Sequence, residues 1–243
     1  GAAEGLSSIM AFHVDPSLRA GEVGMRAGPI TSSSDGFSIE VEGPGGHTAR
    51  PHETVDVIHA AAKLVTDLPA LLDRLVDARR PLTLVFGQVR GGHADNVIPT
   101  LVTLSGTCRT LDREIWERLP VLIERLAIEI VAPYGAKVTV RYLRGIPPVV
   151  NHAGVNAILE NALVTVLGAR AVRETVASLG AEDFSRYLEI VPGALVRLGV
   201  GIDGHSTDLH SAFFDLDETA IEVGIVGGAY SLIELLRAAA EPA

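Results

Sequence analysis

The sequence predicts an α/β domain, a mostly parallel sheet with helices, interrupted by an inserted α+β block of ferredoxin-like order β-α-β-β-α-β. Three observations carry this. Phe37, Ile39 and Val41 alternate with Ser38, Glu40 and Glu42, the period-2 pattern of a strand with one buried face. Helical and strand spacings then follow one another up to Tyr142 in the order helix, strand, strand, helix, strand. Turn-forming clusters bracket the block: Gly28-Pro29 and Ser32-Ser33-Ser34-Asp35-Gly36 before it, Gly145-Ile146-Pro147-Pro148 after it. The inserted block is therefore assigned residues 31–147, and the partial α/β domain residues 1–30 and 148–243.

Within the block, Val55, Ile58, Ala62 and Val65 recur at helical spacing between Thr54 and Leu68. Leu82, Leu84 and Phe86 mark the second strand. Val102, Leu104, Gly106 and Cys108 share one face of the third, opposite Thr103, Ser105, Thr107 and Arg109. Asp112 caps a helix with the stripe Ile115, Leu119, Leu122, Leu126 and Ile130, and Pro120 should kink it or delay its start. Val138, Val140 and Tyr142 form the fourth strand. On the flanks, Ile9 to Val14 is a short apolar run. Asn151 is expected to cap a helix running to Gly168, followed by a short strand near Thr175–Leu179 and a helix from Glu182. An apolar strand is expected at Ala194–Val200, then a long final helix with Ile221, Ile225, Ala229, Leu232 and Leu236 on one side. Strands alternating with helices imply an α/β layer.

The 243 residues, 47% hydrophobic, suffice for one large or two modest domains. No apolar run approaches the ~20 residues of a membrane span, and no signal peptide opens the chain, so a cytoplasmic location is expected. A net charge of −10 without a basic cluster argues against nucleic acid and anionic membranes as partners. The single cysteine, Cys108, lies in an apolar strand pattern and reads as a buried structural thiol. The first residues carry no start methionine, so a fragment or a processed form is expected.

Five stretches could carry chemistry. His13 ends an apolar run, in Ala11-Phe12-His13-Val14-Asp15-Pro16, and His210 lies in Asp208-Leu209-His210-Ser211. Both places suit a ligand or metal in an α/β domain, although a lone histidine is more often a satisfied surface residue. His47 lies in Gly43-Pro44-Gly45-Gly46-His47-Thr48-Ala49-Arg50-Pro51-His52, where glycines permit a tight turn that would present the ring; a plain strand-to-helix turn is the alternative. Asn96 lies in the glycine-rich connection Gly91-Gly92-His93-Ala94-Asp95-Asn96-Val97-Ile98-Pro99, which also reads as an ordinary hairpin. Glu182 and Asp183 open a helix, where acids commonly complement the dipole. No HExxH or CxxC spacing marks a local metal site.

As an ordered set these stretches resemble the M20 metallopeptidase and amidohydrolase family, in particular its branch of hippurate hydrolases and hydrolases of N-acyl amino acids. The stretches are Phe12-His13-Val14-Asp15-Pro16, Gly45-Gly46-His47-Thr48-Ala49-Arg50-Pro51-His52, Asn96-Val97-Ile98-Pro99, Gly106-Thr107-Cys108-Arg109-Thr110, Gly180-Ala181-Glu182-Asp183-Phe184-Ser185, and Leu209-His210-Ser211 ahead of Asp217-Glu218. The resemblance spans essentially the whole chain. It implies a catalytic α/β domain holding two divalent ions (zinc, manganese, cobalt or nickel) and an inserted lid and dimerisation domain that makes the protein a homodimer. By resemblance, His13 and His210 are metal ligands. His47 and Asn96 reach the partner subunit's site to stabilise the oxyanion, Arg109 grips the substrate carboxylate, and Glu182 and Asp183 lie near the substrate. The implied reaction is hydrolysis of the amide bond of an N-acyl amino acid or related peptide. The family's His-x-Cys-Gly-His-Asp motif and its paired glutamates belong upstream of His13 and are absent. The chain as given is therefore expected to be incomplete and inactive alone, with an apolar surface exposed where the missing part would pack. Two other readings stand beside the enzyme: a non-catalytic dimerisation or binding module derived from this family, and a subunit that completes a partner's site by lending His47.

Overall fold

The computed structural model describes residues 3–202 and 208–240. In chain order its elements are β1 (Ile9–Arg19), β2 (Val23–Met25), β3 (Gly28–Thr31), β4 (Ser34–Glu42), β5 (Gly46–His47), α1 (Val57–Leu75), β6 (Leu82–Gly91), β7 (Val97–Ile98), β8 (Leu101–Thr110) and α2 (Arg113–Val131). There follow β9 (Lys137–Ile146), β10 (Val149–Asn151), α3 (Ala153–Leu167), β11 (Val172–Glu174), α4 (Ser185–Leu188), β12 (Gly193–Gly201) and α5 (Thr219–Ala240). The mixed α/β class expected from the sequence is the one observed. The chain forms two compact units: residues 1–31, 149–178 and 182–243 make the first, and 32–148 with 179–181 the second.

The second unit is built on a four-stranded sheet of order β6-β8-β4-β9, every neighbouring pair antiparallel. Burial along β4 alternates residue by residue, so Phe37, Ile39 and Val41 point to one side. There they meet Val102, Leu104 and Cys108 of β8 and the apolar faces of α1 and α2, in one continuous core. Asp56 and Asp112 cap the two helices, accepting from the backbone N–H groups of His59 and Ile115. Pro120 does not delay α2, which begins at Arg113 and runs through the proline. Arg144 of β9 compensates the N–H lost at Pro120, donating from Nη1 to the Trp116 carbonyl at 3.1 Å and from Nη2 to Glu117 at 3.0 Å. At the sheet edge, β6 leaves Val85 and Val89 exposed.

The first unit carries a four-stranded sheet of order β1-β12-β2-β11, in which β1 and β12 are parallel, β12 and β2 antiparallel, and β2 and β11 parallel. The strand β12 is buried along almost its whole length, as expected for the centre of a sheet. Three expectations on the flanks are corrected. Asn151 is not a helix cap: it ends β10, where its amide bridges to Leu195 N and O and to Arg26 O, and His152 takes the cap position. The strand expected near Thr175–Leu179 lies earlier, at Val172–Glu174 where it pairs with β2. The helix expected from Glu182 is a single turn, Ser185–Leu188, because Pro192 and Gly193 follow closely and the chain must enter β12.

The final helix is apolar on both sides. Ala220, Gly227, Ser231 and Leu235 are buried, and the contact with α3 is close: a Cβ at Gly227 would stand 2.9 Å from the Leu163 side chain. Ile221, Ile225, Leu232 and Leu236, in the stripe read as one apolar side, are 57%, 66%, 51% and 62% exposed. The expectation that no stretch approaches membrane-spanning size is also corrected. Thr219–Ala240, with mean hydropathy 1.4, is a helix long and apolar enough to cross a bilayer by length and composition. Glu222, Glu234 and Arg237 lie along it, and one side is seated on α3.

Candidate metal and substrate site

In the first unit, β1 places His13 directly beside Arg197 of β12. The His13 Nδ1 lies 2.8 Å from the Val14 carbonyl oxygen. A carbonyl only accepts, so in the neutral ring the hydrogen sits on Nδ1 and the lone pair on Nε2. That Nε2 lies 3.5 Å from Glu182 Oε2. Two donors bound to one ion at ~2.1 Å in tetrahedral geometry stand roughly 3.4 Å apart. The pair therefore fits as two donors of a single divalent cation, and a backbone carbonyl that orients the ring completes the arrangement usual for ligating histidines. Among the described residues there is no group of three or more His, Cys, Asp or Glu side chains able to hold a metal.

A cavity of about 490 Å³ opens beside this pair, lined by Val14, Asp15, Pro16 and Ser17 on one side, Thr175, Val176 and Ser178 on another, and Arg197, Asp208 and Leu209. It is bordered by the residues that follow His13 and by those that precede His210. His210 itself is exposed and has a φ of 67°, the left-handed region that few non-glycine residues occupy. It lies at a turn closed by Ser211 N donating to Asp208 O at 3.3 Å. Glu182 is held by its other oxygen, Oε1, which accepts from Phe184 N at 3.3 Å. Asp183 is exposed, and its carbonyl accepts from Arg186 N.

In the second unit, β5 pairs with β7, with His47 opposite Val97. Thr48 N donates to the Asn96 carbonyl at 3.1 Å, so the two expected lid residues share one small ladder. Glycine is required here: a Cβ at Gly45 would stand 2.5 Å from the Ile98 carbonyl oxygen. The exposed His47 ring accepts from Ala49 N at its Nδ1, 3.0 Å away, so its Nε2 carries the hydrogen and is presented outward as a donor. The Asn96 side chain is also exposed. Arg109, half-buried on β8, donates from Nη1 to the Leu179 carbonyl at 3.0 Å. Cys108 beside it is fully buried, and burial pushes its thiol up to about 12. It is no nucleophile.

Arg197 did not emerge from the sequence as a functional residue, yet it lies at this site, 8% exposed. Its signal was there: one arginine inside the apolar run Ala194-Leu195-Val196-Arg197-Leu198. Burial pulls the guanidinium below its ordinary range, and the Asp15 and Glu182 carboxylates oppose that shift.

The family profile described as a peptidase dimerisation domain, M20_dimer, matches residues 31–134. Among curated proteins, the chain is 42% identical over 95% of its length to a Synechocystis protein named "Probable hydrolase sll0100", of which it covers 60%. It is 32% identical over 91% of its length to an N-acetyl-L-cysteine deacetylase of Bacillus subtilis, covering 52% of it. A Rhodococcus jostii protein named as a glutamate–cysteine ligase is 44% identical over 98% of this chain, but the match takes in only 30% of that protein. Among solved structures, a dinuclear metal-binding peptidase of the M20 family from Bacillus subtilis superimposes with a TM-score of 0.79 at 26% identity, over 99% of this chain and 60% of that one. The chain thus spans between about a third and three fifths of the proteins it matches. By profile, residues 31–134 thus belong with the M20 peptidase dimerisation domain, and the chain as a whole is similar in sequence to curated hydrolases and in fold to an M20 peptidase.

Proposed function

We propose that the chain is the larger part of a metal-dependent amidohydrolase that cleaves the amide bond of N-acyl amino acids or related peptides. The observation that carries the reading is His13 Nε2 facing Glu182 Oε2 at 3.5 Å beside the cavity of the first unit. The names of the hydrolase relatives and the metal-binding peptidase with the same fold support it. His13 and His210, with Glu182 as a neighbouring donor, would hold one or both of two divalent ions (zinc, manganese, cobalt or nickel). Bound there, such ions polarise a carbonyl and activate water.

The remaining steps belong to this chain's own side chains. His47, with its Nε2 hydrogen turned outward, and Asn96 donate to the oxygen that gains charge as the amide carbonyl is attacked. Arg109 takes the substrate carboxylate with the part of its guanidinium not given to Leu179, and Asp183 lies near the substrate. The second unit serves as lid and dimerisation domain, and in the homodimer His47 and Asn96 act in the partner subunit's site. The exposed edge of β6, and an apolar cavity of about 360 Å³ lined by Ile58, Ala61, Val65, Val89 and Val102, suit pairing with a second copy. The dimerisation-domain match favours a second reading, a non-catalytic module that only pairs or binds.

The test compares the 243-residue chain with the full product of its gene, each loaded with zinc or manganese and offered a panel of N-acetyl amino acids. Release of free amino acid by the full product, and none by the chain alone, is expected. A metal-loaded full product that releases nothing from any member of the panel would overturn the hydrolase reading in favour of the module.

A further inference from the structure

Arg197 is a cation enclosed in the sheet with no anion at hand among the described residues. It lies in β12 between Val196 and Leu198 and is 8% exposed. A guanidinium carries five N–H donors. Among the described residues its one polar neighbour is His13 Nδ1, 3.4 Å from Nη1. That nitrogen's hydrogen is directed to Val14 O, so the ring offers Arg197 no lone pair there. No carboxylate among the described residues comes within ion-pair distance of it. Asp15 and Glu182 attract it only from further away. Asp15 Oδ1 is taken by the Ser17 N–H at 2.9 Å and its hydroxyl at 2.6 Å, and Glu182 Oε2 faces His13. A buried charge left in this state is costly, and removing its partner from such a pair ordinarily destabilises a fold strongly. Yet Arg197 lines an open cavity of about 490 Å³, large enough for a small organic ligand.

We propose that Arg197 is the anion-binding residue of a ligand subsite in this cavity, that the group it takes is a carboxylate, and that the favoured substrates carry a second carboxylate on the acyl group or the amino-acid side chain. The inference rests on the hydrolase reading, and it adds a cation distinct from Arg109. A carboxylate is planar and matches the guanidinium fork with two parallel hydrogen bonds. It brings a single charge, which the acidic lining at Asp15 and Asp208 tolerates better than a doubly charged phosphate. Ser17 and Thr175 place hydroxyl groups on the same lining.

The test is binding to the metal-free chain by titration calorimetry. It uses ligand pairs that differ only in the second charge: N-acetylaspartate against N-acetylasparagine, and N-succinylalanine against its terminal amide. The expected result is at least tenfold tighter binding of the charged member in one of the two pairs. Arg197→Gln should bring that ratio to about one, and Arg197→Lys should keep part of it. Ratios near one for the unaltered chain in both pairs, or a ratio unchanged in Arg197→Gln, would overturn the proposal. Should Arg197→Gln fail to fold, the unaltered chain and the lysine variant decide between the same outcomes. The hydrolysis assay on the full gene product is independent: hydrolysis without the charge preference removes only the subsite, and the preference without hydrolysis leaves the subsite standing.

Discussion

Arg144 donates to the Trp116 carbonyl, the one group in α2 that Pro120 leaves without its helical donor. The same guanidinium stacks over the Trp116 ring, 4.1 Å from its centroid, with Arg113 on the ring as well at 4.9 Å. The proline and the arginine are thus a matched pair, contributed by α2 and β9. Arg144→Met is expected to lower stability by about 1 kcal/mol. In a Pro120→Ala background, where the backbone supplies the missing N–H, the loss should shrink by roughly half. Urea unfolding of the four proteins of this cycle measures the coupling, and equal losses in both backgrounds would separate the two residues.

Asn151 is a second joint of the first unit. Its amide accepts from Leu195 N at 2.8 Å and donates to Leu195 O at 3.0 Å and Arg26 O at 2.9 Å, all in a setting 2% exposed. Asn151→Ala orphans these backbone groups and should cost about 2–3 kcal/mol. Asn151→Asp should cost as much, since a carboxylate cannot donate to either carbonyl. Thermal melts followed by circular dichroism check both, and a shift below one degree for either would count against the bridge.

Alkaline pH should weaken the fold through Cys108. Burial pushes its thiol up to about 12, while an unfolded chain ionises near the ordinary value of ~8.5. The folded pKa is the higher one, so the contribution is fully present below ~8.5 and is lost as pH rises toward the folded value. The slope is about 1.4 kcal/mol per pH unit in that window. Tyr142, raised by burial and by its hydrogen bond to Asp35, acts in the same direction above ~10. Unfolding at pH 8 and pH 10.5 should show a marked loss, smaller in Cys108→Ala. In the folded state the thiol should stay unreactive to alkylating reagents at pH 8.

The lid assignment has its own signature. His47→Ala in the full gene product should reduce turnover by about 10²–10³-fold while leaving bound metal unchanged, because the lost donor acts on the reacting oxygen. Metal content by atomic absorption, read beside turnover, separates this outcome from a folding defect. Turnover within a factor of two of the parent would remove His47 from the mechanism.

The second unit was the more legible half of the chain. Its strands are two-faced, and a period of two in Phe37, Ile39 and Val41 writes their burial directly into the sequence. Its second helix is announced by Asp112. The first unit hides more. The strand β12 is enclosed on both faces and reads as a featureless apolar run, in which the single charge of Arg197 was passed over. The short strands β2, β3 and β10 have only three or four residues each, too few for a period to show. Asn151 looked like a cap because asparagine favours that role; only the long-range partner Leu195, 44 residues away, reveals the bridge. His13 and Glu182 lie far apart in sequence, and no spacing rule could have set their side chains 3.5 Å apart.

The outward side of α5 has a practical consequence at the bench. Four large aliphatic residues, Ile221, Ile225, Leu232 and Leu236, stand in water along one helix. A surface of that kind is sticky: the isolated chain will scatter light at concentrations where a well-covered protein stays clear, and will salt out early in ammonium sulfate. Replacing Ile225 and Leu236 with glutamate would yield a tractable sample for crystallisation. The same two changes would show, in the full gene product, whether that side of the helix is the bed for another part of the protein.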